Sequence, residues 1–164
     1  MRRALVVAST LGMAACAHPH SYVPGTKIPF SPQNKTVLDA CEEYRLAVER
    51  QDADALMLMT NKQYWERSGT PSGSDDYGYD GLRNVLLTRF QKASDIRYSM
   101  RYVAVHQQCP VNLEPGCKAQ VEVLIDASFT VVLGNGKPGR LDKRDQNQLT
   151  LEWDGHRWSF LSGY

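Results

Sequence analysis

The sequence predicts an α+β domain, with three helices followed by an antiparallel meander of about four strands. Two observations support this prediction. Apolar residues recur at helical spacing up to residue 92, and they alternate with polar residues from residue 96 onward. The length of 164 residues, with 42% hydrophobic and 23% charged side chains, suits one globular domain and is short for two.

The first two helices are predicted in the first third of the chain. Over 36–50 the apolar side chains share one face: Val37, Ala40, Cys41, Tyr44, Ala47 and Val48. A second, short helix follows over 52–60, where Asp52 or Asp54 can cap its start.

A run rich in glycine and aspartate, 69–81, precedes the third helix, which is predicted over 81–92. The aspartates imitate the start of a calcium-binding loop. However, Gly78 and Leu87 stand where that loop requires oxygen ligands. We therefore interpret the run as a lead-in to the helix, with Asp80 as its N-cap, and we predict no metal site and no cofactor.

Four strands are predicted in the second half. Alternating apolar and polar residues over 96–106 and 120–133 indicate two half-buried strands, and the segments 147–153 and 156–160 repeat the pattern. Glycine-containing turns, GNGKPG and DG, separate the last three strands. Consecutive strands joined by such turns predict antiparallel pairing.

At the N-terminus, Arg2 and Arg3 precede a short apolar run that ends in small residues, the pattern of a secretory signal peptide. The end of the run, MAAC, resembles a bacterial lipobox, in which the cysteine is lipidated and becomes the first mature residue. We therefore predict a signal peptide over 1–15 and lipidation of Cys16. Since Ala17 follows, the resemblance implies an outer-membrane anchor facing the periplasm. The alternative is an ordinary signal peptide cleaved near Ala17.

Residues 16–34 are predicted to be the anchor cysteine and a flexible tether, because four prolines interrupt the run and little in it could pack. The folded domain is predicted over 35–164. His18 and His20 lie beside Cys16, but a lipidated cysteine is a thioether and not a thiolate ligand. No metal site is predicted there.

Three cysteines remain after Cys16. Cys109 and Cys117 bracket a loop with prolines and a glycine, and an exported protein sits where disulfides persist. Closing this loop contributes roughly 2.5 kcal/mol in the chain-entropy model, less any strain, so we predict a Cys109–Cys117 disulfide. Cys41 lies on the apolar face of the first helix, where we expect it to be buried like a small hydrophobic residue.

The charge balance argues against nucleic acid as a partner. Arg2 and Arg3 belong to the predicted signal peptide, which leaves 17 of the 19 basic residues against 18 acidic ones. A nucleic-acid-binding domain needs an excess of basic residues to neutralise phosphates.

Several segments carry a family resemblance: the helical run YRLAVERQDADALMLMTNKQYW, the helix GLRNVLLTRF, the long hairpin and the ending LEWDGHRWSFLSG. Together they resemble the superfamily of nuclear transport factor two (NTF2) and ketosteroid isomerase, which includes SnoaL-like proteins. The resemblance covers about residues 35–164. It implies a cone-shaped, cystatin-like α+β roll, with the helices in the concave face of a curved sheet and a pocket at the wide end. The same cone hosts enzymes and non-catalytic domains, so it implies no activity.

The resemblance assigns only one of three isomerase roles. Tyr44 falls at the place of the hydrogen-bonding tyrosine. Arg67 and Ser68 stand where the isomerases have a carboxylate base, and Glu66 is two residues out of register. The nearest match to the acid of their oxyanion hole is Asn147 or Gln148. The resemblance therefore does not predict an isomerase.

Dehydratase-like relatives use a His–Asp pair in the pocket. By the parity of the alternation, His106 shares a face with Tyr98 and Tyr102 and could point inward. We favour the other interpretation, a histidine at the rim of the strand, close to the predicted disulfide loop. Asp126 lies on the opposite, polar face with Glu122, where cross-strand pairs with arginines of the preceding strand account for both.

A pocket in this cone is predicted to be apolar with tyrosine hydroxyls, and to be lined by Tyr44, Tyr98, Tyr102, Phe129 and Trp153. We favour a lipid-anchored domain that binds a small hydrophobic ligand or a partner without catalysis. The alternatives are a dehydratase or isomerase that uses His106 and Tyr44, and a structural subunit of an envelope complex. The outer sheet face is the candidate surface for a homodimer or an envelope protein.

Overall fold

The computed structural model describes residues 21–67, 70–109 and 112–164. Within these ranges the chain forms three helices, α1 (Pro32–Glu49), α2 (Ala53–Met59) and α3 (Tyr79–Lys92), and six strands: β1 (Trp65–Glu66), β2 (Tyr77–Gly78), β3 (Ser94–Gln108), β4 (Lys118–Val132), β5 (Pro138–Trp153) and β6 (Trp158–Ser162). The predicted α+β class is confirmed. The predicted signal peptide and Cys16 lie outside the described residues.

The four long strands form one antiparallel sheet in the order β3-β4-β5-β6, while β1 and β2 form a separate small pair. The sheet is curved, and the helices pack on its concave face. The core between them is built from these fully or almost fully buried side chains: Val37, Leu38, Cys41, Tyr44 and Ala47 of α1, Leu82 and Leu86 of α3, Val121, Val123 and Ile125 of β4, and Leu149, Leu151 and Phe160 of the last two strands. Each large apolar side chain buried in this way contributes about 1.5–3 kcal/mol.

The helix starts follow from local capping. Ser31 caps α1 by accepting a hydrogen bond from the Asn34 amide at 3.0 Å, and Pro32 occupies the first turn, where its missing N–H costs nothing. Asp52 caps α2 as predicted. The prediction that Asp80 caps α3 is wrong, because Gly78 occupies that position and Asp80 lies in the first turn.

The segment before α1 packs more than the sequence predicted. Residues 21–30 form a tight turn in which the Val23 amide donates to the Ile28 carbonyl at 2.9 Å. Val23 and Ile28 are buried and belong to the core. The prediction of a flexible tether is therefore wrong for residues 21–34. The prolines exclude a regular element there, but they are compatible with a turn that presents two apolar side chains to the core.

A β-bulge at Val103 exchanges the two faces of β3. Tyr102 pairs with Val123 and Ala104 pairs with Glu122, so Val103 has no partner of its own in β4. Before the bulge, the even-numbered residues of β3 lie opposite the inward residues of β4. After it, the odd-numbered residues do, and the alternation read from the sequence reverses.

The three described cysteines, Cys41, Cys109 and Cys117, behave as predicted. Cys109 and Cys117 form a disulfide that closes the connection between β3 and β4. Cys41 is a free thiol, fully buried in the core. Burial raises the pKa of the Cys41 thiol, so it remains protonated and unreactive at neutral pH.

The end of β6 is fastened to the rest of the domain through Gly163. Its amide donates to Oε2 of Glu66 at 2.7 Å, and its carbonyl accepts from Nδ2 of Asn147 at 2.9 Å. Gly163 has a φ of +106°, in the region that favours glycine. A Cβ here would lie 2.7 Å from the carbonyl oxygen of Gln148.

We therefore expect Gly163→Ala to lower the free energy of unfolding by about 2 kcal/mol, through the unfavourable φ and the backbone clash. Urea denaturation measures the change. The matched control is Gly134→Ala, at a turn where an added Cβ has open space. Equal stability of the two variants would show that the backbone at Gly163 is not constrained as described.

Candidate functional site

A cavity of about 560 Å³ lies between α1, α3 and the inner face of the sheet. Most of its wall is apolar: Val48, Leu86, Phe90, Ile96, Ile125 and Phe129. Its uncharged polar residues are Tyr44, Tyr98, Tyr164 and Asn147. The exposed residues of its lining mark the mouth: Arg89, Lys92, Lys143 and Asp145.

Three tyrosines form the floor of the cavity. Tyr44 of α1 stacks on Tyr164, with ring centroids 4.9 Å apart, and meets Tyr98 of β3 edge-on at 6.1 Å. The hydroxyls of Tyr44 and Tyr98 are 3.5 Å apart. These rings are brought together because Tyr44 lies on the buried face of α1 and Tyr98 on the inward face of β3.

Burial sets the protonation of these phenols. It raises the pKa of Tyr44 well above its usual value, and the neighbouring Tyr98 adds to the rise. Burial also raises the pKa of Tyr98, as does the charge of Asp145, while the hydrogen bond with Tyr44 opposes the rise. Both phenols are therefore neutral at physiological pH. They can donate or accept a hydrogen bond and so orient a bound molecule.

The structure places Tyr44, Tyr98 and Phe129 on the cavity wall, but the prediction that Tyr102 and Trp153 join them is wrong. The Tyr102 hydroxyl donates to Oε1 of Glu42 at 2.6 Å, away from the cavity. Trp153 packs against Trp158, with centroids 5.6 Å apart. Alternation gives the face of a residue but not its height, and four residues along a strand span about 13 Å.

His106 does not point inward; it lies near the end of β3 and outside the cavity, as the favoured interpretation of the sequence has it. Because of the bulge at Val103, His106 lies opposite Gln120 on the outer face. Its side chain is 59% exposed, and Nε2 lies 3.3 Å from Oε1 of Glu122. Thus His106 does not reach the cavity, and no His–Asp pair forms with Asp126.

Asp126 has a different partner from the one predicted. Its Oδ1 lies 2.7 Å from Nε of Arg144, directly opposite on β5. The sequence-based prediction paired Asp126 with arginines of β3, but β4 is an interior strand and also pairs with β5. The pair is exposed, so it contributes about 0–1 kcal/mol.

Two of the polar residues weighed for an isomerase site have structural roles. Oε2 of Glu66 accepts hydrogen bonds from the Tyr64 hydroxyl at 2.9 Å and from the Gly163 amide at 2.7 Å. Asn147 lines the cavity, and its Nδ2 donates a hydrogen bond to the Gly163 carbonyl. Ser68 lies outside the described residues.

Several solved structures share this arrangement at low sequence identity. A ketosteroid isomerase-like protein from Erwinia carotovora atroseptica is 18% identical, with a TM-score of 0.57 over 82% of this chain and 95% of that one. A conserved protein from Planctomyces limnophilus is 11% identical, with a TM-score of 0.62 over 80% and 92%. A proposed dehydratase of the NTF2-like family from Streptomyces avermitilis is 12% identical, with a TM-score of 0.60 over 80% and 93%. No family model and no curated protein sequence matches the chain.

The similarity covers 80% to 82% of this chain in these structures, and it is a similarity to proteins with the NTF2-like α+β cone. The chain has the NTF2-like fold. The cone predicted from the family resemblance is thereby confirmed. At these identities the comparison shows the fold alone, and any activity depends on the residues of this cone.

Five residues of the cavity lining were not predicted from the sequence: Arg89, Lys92, Lys143, Asp145 and Tyr164. Asp145 was predictable, because it continues the inward parity of Asn147, Leu149 and Leu151 on β5. Tyr164 was not, because nothing in a final tyrosine indicates that its hydroxyl donates to the Leu56 carbonyl at 3.3 Å.

Within 21–67, 70–109 and 112–164, no three His, Cys, Asp or Glu side chains converge in a way that would hold a metal ion. In the same part of the NTF2-like chain, no helix has the length and apolar character needed to cross a bilayer.

The buried tyrosines predict the alkaline behaviour of the domain. Burial raises the pKa of five phenols: Tyr44, Tyr64, Tyr98, Tyr102 and Tyr164. In the unfolded chain tyrosine ionises near pH 10, so above about pH 10 unfolding releases protons that the folded state retains. The stability is fully present below that pH and falls as the pH rises beyond it. We expect one alkaline transition in which tyrosinate absorbance appears as circular dichroism is lost.

Two variants test this assignment. Tyr44→Phe should remove one phenol from the cooperative transition, whereas Tyr22→Phe should leave it unchanged, because Tyr22 is 52% exposed. Ionisation of every tyrosine before any loss of circular dichroism would contradict the burial described here.

Proposed function

We propose that the NTF2-like domain binds a small, largely apolar molecule in the cavity between α1, α3 and the sheet, without converting it. One observation carries the proposal: a cavity of about 560 Å³ with an apolar wall and two adjacent neutral phenols at its floor. Ligand sites in proteins typically enclose about 300–1,000 Å³ and combine apolar walls with a few polar groups that fix orientation.

Glu49 beside Tyr98 and the more distant Glu42 are both already engaged and line no part of the cavity, which favours binding over proton transfer. Oε1 of Glu49 accepts from the Tyr98 amide at 2.9 Å, and its Oε2 lies 2.8 Å from Nη1 of Arg45. The amide hydrogen bond is the main reason that the pKa of Glu49 is lowered. Glu42 is similarly held, since it accepts from Tyr102 and Arg45. A general base needs a lone pair that is free to reach the substrate.

One observation favours an enzyme as the alternative. Asp145 lies on the cavity lining, close enough for its charge to raise the pKa of Tyr98. A carboxylate and a neutral phenol facing one cavity are the groups needed for proton transfer to and from a hydrophobic substrate. His106 takes no part in this alternative, because it lies on the outer face.

Native mass spectrometry of the full chain carrying Cys16→Ser, which needs no detergent, tests binding directly. We expect a small molecule to co-purify, and we expect Ala127→Leu to abolish its binding by filling the cavity. The matched control is Val132→Leu, on the same strand at a side chain that is 75% exposed.

The outcomes separate the two functions. An empty wild-type protein, or equal binding by both leucine variants with unchanged circular dichroism, would contradict a ligand in this cavity. If the co-purified molecule is added back to the protein and released in a chemically altered form, the result would support the enzyme.

We also propose that a lipid on Cys16 anchors the protein in the bacterial envelope. The support is the sequence alone: a basic start, a short apolar run and the MAAC ending. In cells fed a palmitate analogue, we expect the wild-type protein to be labelled and to sediment with membranes, and Cys16→Ser to lose both properties. Cys41→Ala is the control, because Cys41 is buried in the core. Labelling that persists in Cys16→Ser would contradict the anchor.

A further inference from the structure

We propose that the ligand of this cavity is an anionic amphiphile, a molecule with an apolar body and an acidic head. The body fills the apolar interior, and the head is held at the mouth by Lys92 and Arg89 of α3 and by Lys143 of β5. This inference rests on the proposed binding function and specifies the chemical class of the ligand.

The charged residues of the mouth are predominantly cationic. The lining contains three cations, Arg89, Lys92 and Lys143, and one carboxylate, Asp145. Oδ2 of Asp145 lies 3.2 Å from Nζ of Lys143, so this carboxylate neutralises one of the three positive charges. The mouth therefore retains an excess of positive charge above an apolar interior.

Lys92 is the cation best placed to receive an acidic head. Within the described residues, Lys92 forms no ion pair, and Arg89 pairs with no carboxylate side chain. The guanidinium of Arg89 makes only long contacts, with the Tyr77 hydroxyl at 3.4 Å and the main-chain oxygen of Tyr164 at 3.5 Å. Both side chains are exposed and retain donors for a ligand.

The end of α3 is held in place rather than left to fray. Nε2 of Gln51 donates to the carbonyls of Phe90 at 3.0 Å and of Ala93 at 2.7 Å. Gln51 thereby ties the last turn of α3 to the junction between α1 and α2. Arg89 and Lys92, three residues apart, lie side by side on one face of that turn.

A simpler explanation exists for the two α3 cations. Basic residues in the last turn of a helix interact favourably with its dipole, whether or not a ligand binds. That explanation does not account for Lys143, which reaches the same mouth from β5, nor for the apolar cavity beneath. The convergence of cations from two elements on one apolar cavity is what points to an acidic head.

Three probes of equal chain length test the charge preference: decanoate, decanol and decyltrimethylammonium. They are titrated calorimetrically into the full chain carrying Cys16→Ser at low salt. We expect decanoate to bind about tenfold more tightly than decanol, equivalent to about 1.4 kcal/mol. The cationic probe should bind most weakly. Raising the salt from 0.1 M to 1 M should reduce the advantage of decanoate, because the screening length falls from about 10 Å to about 3 Å.

The Lys92→Gln variant tests whether Lys92 is responsible for the preference for an acidic head. It should weaken decanoate binding about threefold to tenfold and leave decanol binding unchanged. The matched control is Lys137→Gln, an exposed lysine in the turn between β4 and β5 that does not line the cavity. Decyl phosphate, tested alongside, shows whether a phosphate head serves as well as a carboxylate.

The outcomes distinguish this inference from the function on which it rests. If decanol or the cationic probe binds as tightly as decanoate, or if Lys92→Gln weakens all probes equally, the acidic head is excluded while binding in the cavity stands. If no probe binds, both the proposed function and this inference are overturned.

Discussion

The domain depends on one aromatic cluster centred on Tyr44. Its ring contacts Tyr98 on β3, Phe160 on β6 and Tyr164 beyond it, with centroids 4.9 to 6.1 Å apart. These contacts join the first helix to the first and last strands of the sheet. Aromatic pairs of this kind contribute about 0.5–1.5 kcal/mol each beyond the area they bury. The cluster thus connects α1 to both edge strands of the sheet, β3 and β6.

The same cluster forms the floor of the cavity, so the proposed binding site shares residues with the core. Tyr44, Tyr98 and Tyr164 pack their rings together and all three line the cavity, while the hydroxyl of Tyr164 is hydrogen-bonded to the Leu56 carbonyl and to Thr60. A ligand resting on this floor would bind the folded state only and would stabilise it by mass action. The mouth is built from other elements, the last turn of α3 and the inner side of β5, and its charged side chains are exposed and lie outside the core.

The bulge at Val103 divides the sheet into two chemical environments. Up to Tyr102, β3 supplies inward tyrosines, and beyond the bulge it directs His106 to solvent beside Glu122. Without the extra residue, the histidine would face the interior. Because bulges are fixed by pairing across strands, one inserted residue decides whether this chain has an imidazole in its cone.

The sequence by itself determined the class of the fold, the order of the three helices and the four long strands, the Cys109–Cys117 disulfide and the burial of Tyr44, since helical spacing, alternation and loop composition are local properties. The tertiary structure decided which residues meet. It removed His106, Tyr102 and Trp153 from the cavity, brought in Arg89, Lys92 and Tyr164, and packed Val23 and Ile28 into the core. Periodicity fixes a face only within an unbroken element, whereas a bulge, the height along a strand and the meeting of distant segments depend on packing across the whole sheet.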